Sequence, residues 1–348
     1  EFRRVLFRSR AGFTFCTFRF PRNIAPANAA LDAPINLENP RVVAIFANDI
    51  DKASWSGYLY SSRIVFSAAH SHYNFDSNGN LIYKELGIFT VGKPNSSAKD
   101  SSGRVKVVKL FLADFKTIPS GGAINDFVIY VLERDLVPMA PGKLITPEIN
   151  QELVEANAEV EFHGYGEYRD RCAPGQSPPC KKDWQNPNQR TSEFPRISVM
   201  KLSPVLSSWM DSQKMSEMAN ERFISNPQGC PGDSGGPITT IYKGERIYLG
   251  MGLDANEVYA CGAGGSLGNK PNTFGHFSPV YKHLDLIKEA EAFVAQQTAP
   301  ITSTKKTVTV PNLKKTTITC VKGKSIKKRG LDVNRTHPVC RKLCCARL

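Results

Sequence analysis

Three short segments carry the residue types of a single reaction. Gly232-Asp233-Ser234-Gly235-Gly236-Pro237 sets a serine among glycines. Ser67-Ala68-Ala69-His70 supplies an imidazole, and Ala123-Ile124-Asn125-Asp126-Phe127-Val128-Ile129 supplies a carboxylate flanked by apolar residues. A serine hydroxyl holds its proton too tightly to attack at neutral pH. A neighbouring imidazole can take that proton as attack begins and return it to a leaving amine. A buried carboxylate then fixes the imidazole tautomer and stabilises the imidazolium. On this reading Ser234 is the nucleophile, His70 the general base and acid, and Asp126 the orienting group. The tetrahedral intermediate also needs N–H donors that converge on its oxyanion. A glycine at 232 lets the chain turn so that the Gly232 and Ser234 N–H groups converge, and loss of one such donor costs roughly 10²–10³ in rate. Taken alone, the glycine-rich hexapeptide also reads as a plain turn, since Gly, Asp, Ser and Pro are turn formers. The two upstream segments, in the order His, Asp, Ser, lift it above that.

With these motifs in this order, the chain resembles the trypsin/chymotrypsin-type serine proteases, in particular bacterial secreted members, over about residues 40–297. The resemblance implies an all-β fold of two antiparallel six-stranded β-barrels, with the active site in the cleft between them and a C-terminal helix after them. Gly164-Tyr165-Gly166 matches the family's Gly-aromatic-Gly signature. Asp233 is implied to form an internal ion pair that shapes the oxyanion hole. In the family its partner is the amine of an Ile-Val-Gly-Gly terminus; no such motif precedes Pro40, and Ala30 and Asn23 are the candidate new termini. The base of the specificity pocket falls at Gln228, where trypsin-like members carry Asp. An Asp there would hold a substrate Arg or Lys by a charge-assisted hydrogen bond, whereas Gln is neutral. Asp254 lies in the segment of a pocket wall and offers a negative charge from another direction, and Gly275 matches a wall glycine that leaves room for a large side chain. Cys230 and Cys261 match a disulfide that braces the pocket. The family's bridge beside the catalytic histidine is absent, its two positions falling at Trp55 and Ser71. His276 falls beside the pocket, while His72, His163 and His283 read as surface or structurally satisfied histidines.

Elements that could position these groups are legible as runs of apolar and β-branched residues between turn formers. Residues 40–46, 56–60 and 64–67 read as the first strands, followed by 87–91, 105–111 and 127–132. Residues 138–147 read as the crossing to a second barrel. That barrel begins near 160–166 and continues at 197–202, 238–242, 246–253 and 277–280. Residues 168–190 read as a polar loop, and 283–297 as a helix with Leu284, Ile287, Ala290 and Val294 on one face.

The domain layout that follows has three parts. Residues 1–37 combine an adapter-like, non-native stretch with a damaged signal or pro segment, in which Ala27-Asn28-Ala29 fits a small-x-small cleavage site. Residues 38–297 form the protease-like domain, with barrels at about 38–145 and 146–283 and a helix at 284–297. Residues 298–348 are a Thr/Lys-rich linker and a basic, Cys-containing tail. The formal net charge is +13, but residues 299–348 carry +12 and residues 1–10 carry +3, which leaves −2 for 11–298. A basic total of this kind does not point to nucleic acid, because phosphate contacts need Lys and Arg clustered on the folded part. The tail reads either as solvated or as an anchor to an anionic cell surface. Of nine cysteines, Cys172 and Cys180 close a Pro- and Gly-rich loop and are expected to form a local disulfide. Metal binding is the alternative there, but no CxxC or HxxxH spacing supports it. The leading expectation is a secreted or cell-surface endopeptidase, monomeric, acting on polypeptides through an acyl-enzyme without metal or organic cofactor. Its competitors are a catalytically silent protease-fold binding module held at the surface by the tail, and an enzyme with esterase activity only.

Overall fold

A computed structural model describes residues 33–48, 53–75, 81–83, 87–117, 123–166, 192–203, 222–225, 232–255, 274–298, 305–306, 318–321 and 324–325. The chain divides into two compact units, Glu1–Ala290 and Glu291–Leu348.

The first unit opens with β1 (Val42–Ala47), β2 (Trp55–Ser61), β3 (Ile64–Ser67), β4 (Phe89–Val91), β5 (Val105–Leu112) and β6 (Val128–Leu132). They close into a barrel in the order β1-β2-β3-β6-β5-β4, which removes the unpaired edges of an open sheet. Successive strand residues point to opposite faces, and β1 shows the consequence. Val43 and Ile45 join a buried cluster with Leu59, Val65, Val128 and Tyr130. Val42, Ala44 and Phe46 face the other way, into a cluster completed by Tyr165. With both faces covered, all six residues of β1 are buried.

The second group comprises β7 (Lys143–Leu144), β8 (Glu159–Gly164), β9 (Arg196–Ser203), β10 (Arg222–Ser225), β11 (Pro237–Tyr242), β12 (Glu245–Ala255) and β13 (Phe274–Pro279). They form a seven-stranded sheet in the order β7-β12-β11-β8-β9-β10-β13, and β12 also pairs with β13. β7 joins parallel to β12; the other ladders are antiparallel. The protein is thus mostly β, with a closed six-stranded barrel. A 3₁₀ turn, Val280–His283, leads into the C-terminal helix, Leu284–Thr298. Ile287 and Ala290 are buried, as the apolar stripe predicts, but Leu284 at its start is exposed. The barrel and the sheet meet through stacked aromatics: the rings of Tyr58 and Tyr248 lie 4.2 Å apart at 11°, and Phe66 lies 5.6 Å from Tyr248.

Several elements were not anticipated, among them two short antiparallel pairs, Tyr73–Phe75 with Leu81–Tyr83 and Lys116–Thr117 with Ala123–Ile124. A helix, α1 (Pro147–Glu155), follows the crossing; the C-terminal helix is therefore α2. The α1 signals are local: the Thr146 hydroxyl accepts from the Ile149 N–H, Pro147 opens the first turn and Glu148 sits at the positive end of the dipole. β10 is only four residues long and lacks a strong period. In the second unit, Lys305–Lys306, Ile318–Val321 and Lys324–Ser325 pair as a small antiparallel sheet where the sequence reads as a linker and tail.

Candidate active site

Strand pairing brings His70 and Asp126 together. β3 and β6 run antiparallel with Ser67 opposite Val128. The chain leaving β3 and the chain entering β6 therefore meet at one end of the barrel. His70 lies in a 3₁₀ turn, Ala69–His72, directly after β3, and Asp126 lies two residues before β6. Asn125 adopts φ 54°, a left-handed conformation that Asn tolerates better than most residues. The Asp126 carboxylate is 5 % exposed and grips His70 twice. The His70 backbone N–H donates to Oδ1 at 2.7 Å, and Nδ1 lies 2.7 Å from Oδ2. An ionised carboxylate only accepts, so Nδ1 carries the proton and Nε2 is left with its lone pair. That Nε2 lies 2.9 Å from Ser234 Oγ. The imidazole retains 38 % side-chain exposure, so the line of contacts runs from a buried carboxylate through a partly exposed ring to a half-buried serine.

Ser234 arrives from the other half of the unit, in the turn that feeds β11. This turn needs its glycines. Gly232 has φ 94° and Gly235 has φ 78°. A Cβ on Gly236 would stand 2.0 Å from the His163 carbonyl oxygen. The turn is pinned by Asp233, which is buried with its Oδ1 accepting from the Gly166 N–H at 2.7 Å. Gly164 and Gly166 line the cradle of this carboxylate, and a Cβ on them would fall 2.1 and 2.5 Å from its atoms. The Gly-Tyr-Gly signature therefore has a steric cause. The candidate termini that would supply an ion pair to Asp233, residues 23 and 30, lie outside the described residues. Among the described residues, neither the Gly232 nor the Ser234 backbone N–H has a protein acceptor.

The pocket assignments are reached only in part. Asp254 and Gly275 stand in the neighbouring strands β12 and β13, in register as Asp254 with His276 and Ala255 with Gly275. Gln228, both cysteines of the Cys230–Cys261 pair and both of the Cys172–Cys180 pair lie outside the described residues. Among the described residues no group of His, Cys, Asp and Glu could hold a metal ion, and no helix is long and apolar enough to cross a membrane.

The remaining histidines occupy defined places. His72 is buried with Nε2 2.7 Å from Tyr130 Oη. His163 is buried with Nε2 3.3 Å from a Glu161 carboxylate oxygen. His283 stacks on Phe127 at 4.4 Å and 5°, with Nε2 2.8 Å from Ser278 Oγ. Trp55, at one position of the missing bridge, donates its Nε1–H to Tyr130 Oη at 3.0 Å and meets the His72 ring edge-on at 6.0 Å. The sequence reading missed Ser56 and Ser67. Both are fully buried beside the Ser234 turn, and the available signal was a hydroxyl inside an apolar strand, which has to be hydrogen-bonded.

No protein-family model matches the chain, and no curated protein does. Among solved structures it is similar to the secreted serine protease VesC from Vibrio cholerae, at 16 % identity and a TM-score of 0.49. That similarity covers 79 % of this chain and about half, 49 %, of the other.

Proposed function

We propose that the chain is a secreted serine endopeptidase that cleaves peptide bonds through an acyl-enzyme intermediate. The observation that carries this reading is the unbroken hydrogen-bond line from Asp126 through His70 to Ser234, at 2.7 and 2.9 Å. Its reacting end is within the 2.6–3.2 Å reach, approximately, that a general base needs. In the proposed cycle His70 Nε2 takes the Ser234 proton as Oγ attacks the scissile carbonyl, and Asp126 stabilises the imidazolium. The oxyanion is held by the N–H groups of Gly232 and Ser234. His70 then protonates the leaving amine, and a water molecule attacks the acyl-enzyme by the reverse route.

The test is incubation of the folded protein with a diverse peptide library, with products sequenced by mass spectrometry and Ser234→Ala as the control. Cleavage by the wild type alone is the expected result, and the residues before each cut report what Gln228 and Asp254 select. Asp126→Asn should lower kcat by about 10⁴-fold. Combining it with Ser234→Ala should add little, because residues that act as a unit are not additive. A folded wild type that cleaves nothing in the library would sink the reading and leave a catalytically silent binding module or an enzyme with esterase activity only.

A further inference from the structure

We infer that Ser56, on β2 of the barrel, is a positioning residue that holds the oxyanion turn of the opposite half in its working shape. This inference rests on the proposed serine protease reading of the site. All the polar functions of Ser56 are engaged, and they reach three separate segments. Its backbone N–H donates to the Ser234 carbonyl at 2.9 Å. Its hydroxyl donates to the Gly232 carbonyl at 2.9 Å and accepts from the Tyr165 N–H at 2.9 Å. Its own carbonyl accepts from the Ser67 hydroxyl at 2.8 Å, three residues before His70. The residue is fully buried.

The placement has a specific geometric consequence. A peptide unit is planar, so neighbouring planes turn only about φ and ψ. The two proposed oxyanion donors sit on the peptide planes before Gly232 and before Ser234. The plane between them carries the Gly232 carbonyl, which the Ser56 hydroxyl holds. The plane after Ser234 carries the carbonyl that the Ser56 N–H holds. Gly232, at φ 94°, lacks the side chain that would restrict it from within. The constraint comes from the barrel, and Ser56 supplies it at both carbonyls. Through Ser67 the same residue ties this turn to the strand that presents His70. Donors aimed in advance need no rearrangement when the oxyanion forms.

The test compares full-length wild type, Ser56→Ala and Ser234→Ala on a peptide substrate identified from the library. It measures kcat and KM separately, the affinity of a peptide aldehyde whose hemiacetal oxygen occupies the oxyanion site, and the affinity of the corresponding product peptide. Ser56→Ala is expected to lower kcat about tenfold, less than the 10²–10³ lost with a whole donor. The aldehyde should weaken by the same factor, with KM and product affinity unchanged. A merely structural role would lower thermal stability without this split. Should Ser56→Ala not fold, Ser56→Cys, whose thiol is a weaker donor, is held to the same criterion. A folded variant with wild-type kcat and aldehyde affinity overturns the role of Ser56 alone. A wild type without turnover overturns the proposed function and this role together.

Discussion

A methyl group added at Gly235 would stand 2.0 Å from the Ser67 hydroxyl and 2.5 Å from the Ser56 carbonyl, at a backbone φ of 78°. Neither neighbour can retreat cheaply, because both belong to the buried network between the barrel and the Ser234 turn. Gly235→Ala is therefore expected to destabilise the fold by about 1–3 kcal/mol through overpacking and to displace Ser234 from His70. Thermal unfolding and kcat measured together would show both effects. By contrast, Gly244 also has positive φ but meets nothing within 4 Å, so its substitution strains the turn without touching the site. At this scale the sequence was informative where chemistry constrains residue type. Ser234, His70, Asp126 and the glycines around them could be read because few other residues can stand there. Ser56 could not be read, because its four hydrogen-bond partners, Ser67, Tyr165, Gly232 and Ser234, lie on three other segments of the chain.

At the scale of elements, the His70 turn is braced by aromatic side chains. Trp55 Nε1–H, Tyr130 Oη and the His72 ring meet in the barrel wall, with Phe89 5.8 Å from both Trp55 and Tyr130. Burial pushes the Tyr130 phenol far above its ordinary pKa, so it remains a neutral group that can accept and donate. Tyr130→Phe keeps the shape and removes the oxygen. It leaves the buried Trp55 N–H without its acceptor, at a cost of about 1–3 kcal/mol. The expected outcome is a lower Tm with a smaller change in KM than in kcat, since the turn that loosens carries His70, the proposed base. The strands of the barrel were legible from their apolar runs. α1 was hidden because a helix of nine residues leaves too few turns for a period to show, and β10 because its four residues gain their identity from pairing with β9 and β13.

At the scale of the molecule, buried imidazoles contribute to the response to acid. Burial pushes the pKa of His283 down to about 3 from an ordinary 6.5, and lowers that of His163. The unfolded chain gains these protons as pH falls through about 6.5, while the folded chain takes them up only at lower pH, about 3 for His283. The unfolded state thus binds more protons between these limits, and stability falls as pH is lowered across them. His283→Phe should narrow the difference in unfolding free energy between pH 7 and pH 4, by an amount on the order of 1–3 kcal/mol, and circular dichroism melts at the two pH values would show it as a smaller shift in Tm. An unchanged difference would place the acid sensitivity elsewhere. The charge map is equally uneven: 11–298 sums to −2 and 299–348 to +12, so salt should act on the tail far more than on the site.

The aromatic brace has a consequence for biogenesis. No cysteine lies between Cys16 and Cys172, so the closed barrel, the His70 turn and Asp126 take their shape without any thiol being oxidised. This half of the molecule is indifferent to the redox potential of the compartment in which it folds, and a strong reductant has nothing in it to cleave.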